Sequence, residues 1–202
     1  MKRTIEERLK IVESEIETIK REITGKKFFG KRIGDTFDLI GVQWKVLDIT
    51  GGGYVCMAID PVLEGEEFDA SGNNWENSKL RSKLHEKILP KIKNEVGNEG
   101  VIKFKRDLIS LDGLTEYGDC MDEISLISVD EYRKYRKLIP NSGREWWWTI
   151  TPWSTAGNND KAWVAVVSPS GRVGNGHYFC SSGRGVRPFC IFSSKLFESR
   201  NE

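Results

Sequence analysis

Four cysteines, two histidines and one Asn-Asn-Asp run are the residues of this chain best equipped for covalent or metal chemistry. Cys56, Cys120, Cys180 and Cys190 form no Cys-x-x-Cys pair, and only His85 and His177 could join them as soft ligands, so a zinc site is not expected. Free thiols are the default here, although the spacing leaves a Cys180–Cys190 pairing open. Asn158, Asn159 and Asp160 offer clustered oxygens, but calcium takes about six to eight of them. No Ser/His/Asp spacing, phosphate-binding glycine loop or His-Glu-x-x-His run is present, so catalysis, metal and cofactor are not expected. What remains is recognition chemistry. Trp153, Ser154, Asn158, Asn159, Asp160, Asn175, His177, Tyr178, Phe179, Ser181, Ser182 and Arg184 crowd two polar stretches, 154–161 and 174–184. Tyrosine gives large contact area at low entropy cost, and Ser, Gly and Asn give adaptable hydrogen bonds. The same look suits a Gly/Ser-rich surface loop.

The elements that must position these side chains are short. Between the two stretches lie an apolar strand at 162–167 and a turn at 168–171, and residues 186–192 return to the core. A strand pair there would bring both stretches to neighbouring edges of one exposed patch. Upstream, alternating apolar residues at 37–40 and 42–47, broken by Gly41, read as strands, as do residues 54–59 after a triple-glycine turn. Asn77 or Ser78 can cap a helix through Leu80, Leu84 and Ile88 that ends at Pro90. Residues 124–127 read as a short strand. Ser128 and Glu131 form a capping box for a second helix, to about residue 137. The class is therefore α+β. Trp146, Trp147, Trp148 and Trp163 are expected in the core, with one or two of them reaching the face as the alternative, Arg187 beneath the face bonding buried carbonyls, and Trp153 as the best candidate for exposure.

The first 25 residues follow a different period. Leu9, Ile16 and Ile23 occupy heptad positions a, and Ile5, Val12 and Ile19 occupy d. In a parallel assembly Arg8 faces a neighbour's Glu13, and Glu15 faces Lys20, opposite in charge each time. Isoleucine-rich a and d layers lean towards trimers, so a homotrimer is expected. Fewer than three full heptads is a weak zipper, and the domain or a larger assembly must help. The alternative is an amphipathic helix packed on its own domain. The chain thus divides into a coiled-coil helix, 1–25, and a globular domain, 28–202.

The 31 basic and 30 acidic side chains leave a net charge of +1, so no global field favours nucleic acid or an anionic membrane. No apolar run is long enough to span a membrane. The start, MKRTIEERLK, has no apolar core of a secretory signal.

Four motifs in order carry a resemblance. WWWTITPWS (146–154) followed by GVRPFCIF (185–192) resembles a family of bacterial and phage domains with Trp-Trp-Leu-Arg-Ser/Thr-Pro and Gly-Val-Arg-Pro signatures. VQWKVLD (42–48), WENSKLRSKL (75–84) and ISLISVDEYRKY (124–135) resemble that family's early strand, helix start and strand-then-helix segment, so the likeness covers residues 30–192. Thr149 and Ile150 depart from its Leu-Arg, and Lys83 from its Trp. The resemblance implies a C-type-lectin-like fold, distantly similar to the formylglycine-generating enzyme group. It also points to the variable proteins of diversity-generating retroelements, in which an error-prone reverse transcriptase rewrites adenine positions of a C-terminal region. Residues 146–192 would be that region, and most of the polar candidates are one or more adenine changes from an Asn codon. The expected function is non-enzymatic binding of a protein or cell-surface ligand by a phage or prophage protein, on the virion or in host cytoplasm during synthesis. The alternatives are an oxidase-like enzyme of the formylglycine-generating type, using Cys180 and Cys190, and a structural virion component.

Overall fold

A computed structural model describes residues 4–28, 30–141, 145–174 and 180–197. The chain is α+β. Helix α1 (Ile5–Phe28) opens it. Thr4 and Glu7 cap it reciprocally, each backbone N–H bonded to the other's side chain. The helix touches the rest of the chain at α3 (Leu89–Val96), β1 (Thr36–Leu39) and the 3₁₀ turn Ser194–Leu196. The described seam residues do not lie on the domain. Ile5, Leu9, Val12, Ile16 and Ile19 are between 47 % and 76 % exposed, which excludes the packed-on-itself alternative for these residues. The side chains of Lys20 and Ile23 lie outside the described residues.

The main sheet has the order β1-β2-β3-β11-β5, all antiparallel, with β2 Val42–Thr50, β3 Gly53–Ala58, β5 Val101–Ile102 and β11 Phe189–Ser193. A two-residue turn at Ile40 and Gly41, both at positive φ, joins β1 to β2 with the twist that hairpins favour. At Gly53 no side chain fits, because a Cβ there would stand 2.3 Å from the Phe192 carbonyl oxygen. Both faces of this sheet are covered, so its strands are apolar on alternate residues of both parities. Cys56, Ala58, Cys190 and Phe192 face one core, shared with Trp44, Leu84 and Ile92. Val55, Met57 and Phe189 face the other, shared with Tyr132 and Tyr135.

A second sheet, in the order β4-β10-β8-β9, joins β4 (Leu63–Glu66), β10 (Arg184–Val186), β8 (Trp147–Pro152) and β9 (Val164–Val167). The adjacent tryptophans of β8 are both needed because successive residues point to opposite faces. Trp147 enters the core of Tyr132, and Trp148 enters the larger one against Phe68. Trp146 and Trp163 are half-buried, Trp146 packing against the larger core, so two of the four tryptophans are fully internal. Thr149 and Ile150 are both buried, and the Thr149 hydroxyl donates to the Ala165 carbonyl at 2.7 Å, so the polar side chain at 149 is satisfied inside the sheet.

Ser78 caps α2 (Lys79–Lys83), as its sequence context suggests. The helical run does not stop at Pro90, however. A π turn at Leu84–Ile88 lets the chain restart as α3, with Pro90 in the first turn, where a missing N–H costs little. Ser128 and Glu131 form the capping box of α4 (Val129–Tyr135). The expected strand at 124–127 reduces to one bridge, Ser125 with Phe189, although Ile124, Leu126 and Ile127 are buried. A hairpin of β6 (Phe104–Asp107) and β7 (Asp119–Asp122), unanticipated from sequence, carries the loop 108–118. Among the described residues no helix is long and apolar enough to cross a membrane.

Candidate functional site

The turn after β8 is built around Thr155, whose carbonyl accepts the amides of Asn158 (3.0 Å) and Asp160 (3.1 Å). This makes the 3₁₀ turn Ala156–Asn158, closed by Asn159 in the left-handed region at φ 54°. Short polar residues visit that region most cheaply, which explains an asparagine at 159 without a ligand. Ala156, Gly157, Asn158 and Asn159 are exposed, and Asp160 is half-buried. Trp153 is half-buried, and its amide donates to the Trp163 carbonyl at 2.9 Å.

Ser154 does not belong to the exposed set. It is 5 % exposed, and its hydroxyl donates to Asp112 Oδ2 at 2.7 Å. The alternation of the strand end turns this small polar side chain inward, where a carboxylate satisfies it. Of the second polar stretch, Asn175, His177, Tyr178 and Phe179 lie outside the described residues. Ser181 is exposed, and Ser182 and Arg184 are half-buried. The two stretches meet where the chain re-enters the described structure. The Cys180 amide donates to the Ala162 carbonyl at 2.8 Å, and the Cys180 carbonyl accepts from Phe68 (2.8 Å) and Asp69 (3.1 Å). Arg184 then pairs with Glu66 across β10 and β4.

Beside this junction lies a pocket of about 200 Å³ lined by Asp69, Ser71, Asn73, Asn74, Tyr117 and Lys161, among others. Asn73, fully buried, forms part of its lining. Burial pushes the Asp69 carboxyl up, but the Ser71 hydroxyl and amide and the Lys79 amide outweigh that and hold it below the usual range. The Ser110 and Ser154 hydroxyls hold Asp112 low in the same way. Sequence reasoning missed this contribution from residues 69–77 and 112–117. The available signal was Asn and Asp in glycine-punctuated stretches, but the loop partners of Asn73 and Asp112 lie 42 to 90 positions away in the chain.

The four cysteines are buried and free. Cys190 stands opposite Cys56 across β11 and β3. Cys180 is held elsewhere by its bonds to residues 162, 68 and 69. Burial raises every one of these thiols, that of Cys120 to about 11 and those of Cys56 and Cys190 well above the usual thiol value. None is poised as a thiolate near neutral pH. No family model, curated protein or solved structure matches the chain.

Proposed function

We propose that this chain is a non-enzymatic recognition protein with a C-type-lectin-like domain, held as a parallel homotrimer by α1. The observation that carries the reading is the junction at Ala162 and Cys180. It joins two stretches rich in contact-forming side chains that lie about twenty positions apart, on a base of buried strands. Asn158 and Asp160 lie on the stretch that ends at Ala162, Ser181 and Arg184 on the one that follows Cys180, and Trp153, half-buried, precedes the first. The motifs shared with the variable proteins of diversity-generating retroelements favour a diversified surface and a phage or prophage setting, on a tail or particle surface. The ligand class is then a protein or other structure on a cell surface. A trimer adds avidity, since linked weak sites gain affinity without new contacts.

The test is binding of the labelled full-length chain to a panel of bacterial cells. Against a strain that binds, replacing Asn158, Asp160, Ser181 and Arg184 together with alanine is expected to abolish binding. Stability should change by no more than about 1 kcal/mol, as for surface positions. Binding that survives all four changes would place the recognition surface elsewhere.

A further inference from the structure

Most of the hydrogen bonds that tie the 154–163 loop to the rest of the domain end on its backbone, and the Ser154 hydroxyl on Asp112 is the main side-chain exception. Asn73 is the centre. Its side-chain nitrogen lies 3.0 Å from the Ser154 carbonyl, 2.9 Å from that of Trp163 and 3.4 Å from that of Asp160. Three carbonyls can only accept, so the amide must turn its two hydrogens towards them, with the longest contact shared. Its oxygen accepts the Tyr117 hydroxyl at 2.7 Å, and that same hydroxyl accepts the Ala156 amide at 3.2 Å. Glu116 takes the Gly157 amide at 2.8 Å.

We infer that Asn73, assisted by Tyr117 and Glu116, is the positioning residue of the 154–163 loop, fixing its path through main-chain atoms so that side chains at 156, 158 and 160 can be exchanged without changing its shape. The inference rests on the recognition reading above and deepens it. A surface that must accept many sequences needs supports outside itself that do not depend on those sequences. Residues 73, 116 and 117 lie outside residues 146–192 and bond to peptide groups that every residue but proline supplies. Ser154 at the loop's start is held by Asp112 at 2.7 Å, but the exposed side chains add little in return. Asn158 reaches Asp112 Oδ2 only at 3.5 Å. Asn159 is the exception in the loop, because its positive φ restricts it to Asn, Asp or Gly at low cost.

Backbone hydrogen exchange on the full-length chain tests this without any ligand, so a failure to find a binding partner leaves the outcome readable. Asn73→Asp keeps the volume and the acceptor but removes both donors. Amides 156–160 are expected to exchange about tenfold faster, as when roughly one hydrogen bond of local stability is lost, while those of β3 and β11 keep their protection. Tyr117→Phe, which removes only the hydroxyl, should raise exchange at the Ala156 amide and decides the matter if Asn73→Asp does not fold. The triple change Ala156→Ser, Asn158→Tyr, Asp160→Ser should leave loop protection unaltered and the melting temperature within about 2 °C. Unchanged loop exchange in both support variants, or a loop loosened by the triple change, would overturn the inference.

Discussion

Arg187 shows how one residue can hold the floor of the domain. It is 1 % exposed, and its guanidinium donates to the Ala58 carbonyl at 3.1 Å and the Pro140 carbonyl at 3.4 Å. It also lies over the Trp147 ring, 4.7 Å from its centroid. Burial lowers its pKa to about 10, which still leaves it charged at neutral pH, so its desolvation is met by carbonyls and a ring face. Removing Trp147 would empty a buried volume and uncover that charge. Removing Arg187 would leave the Ala58 and Pro140 carbonyls short of a donor. Trp147→Ala and Arg187→Ala are each expected to destabilise by about 3 kcal/mol. Because the two side chains touch, the double variant should lose less than the sum. Urea unfolding monitored by tryptophan fluorescence and circular dichroism measures this, and full additivity would argue that the stacking contact contributes nothing.

Among the elements, α1 has the clearest unspent capacity. Its apolar seam is exposed in the single chain, its N-terminus is capped, and its flanks are complementary at Arg8 with Glu13. Sedimentation of the full-length chain is expected to give three times the 23.0 kDa chain mass. Leu9→Glu with Ile16→Glu should give the monomer. Since neither side chain is buried within the chain, the domain's own unfolding should be unaffected. A wild-type monomer at micromolar concentration, or an oligomer indifferent to these changes, would remove the coiled coil from the account. The opposite case among elements is β6–β7, whose value lies in the loop it carries rather than in any seam.

The molecule as a whole is tied across its layers by carboxylates. Asp122, fully buried in β7, accepts from Trp75 Nε1 and Arg81 Nε, both at 2.7 Å, with His85 Nε2 at 3.3 Å. Glu131 in α4 takes a bidentate pair from Arg106, both bonds 2.6 Å, and the Ser128 amide. Burial pushes both carboxyls up. The bonds from His85, Trp75 and Arg81 at Asp122, and from Arg106 at Glu131, outweigh it and hold both below the usual carboxylate range. A carboxyl lowered in the native state adds stability that is complete above its unfolded pKa, about 4, and is lost as pH falls through its native value. The melting temperature is therefore expected to be nearly level from about pH 7 to about pH 5 and to fall steeply below about pH 4. Asp122→Asn should lower stability at neutral pH and flatten the acid slope. An acid slope identical to that of the unmodified chain would mean that Asp122 carries none of it.

Period and local chemistry were legible in the sequence because they depend on neighbours. The heptad, the capping box at Ser128, the cap at Ser78, the break at Gly41 and the apolar strands at 42–47 and 54–59 are set within a few positions, and the α+β class follows from them. The burial of Arg187 was legible too, since a guanidinium between apolar residues must find acceptors. Tertiary structure alone decided the rest. Whether 124–127 became a strand depended on what lay beside it, and it found one bridge, to Phe189, and single hydrogen bonds from Ile150 and Arg106 in place of a continuous partner. Whether Pro90 ended a helix depended on a π turn packed into the core. Ser154 turned inward because Asp112, 42 positions away, was there to receive it. The support of the 154–163 loop was the least legible feature of all. Asn73, Glu116 and Tyr117 bond to main-chain atoms, and main-chain atoms look the same at every position of a sequence.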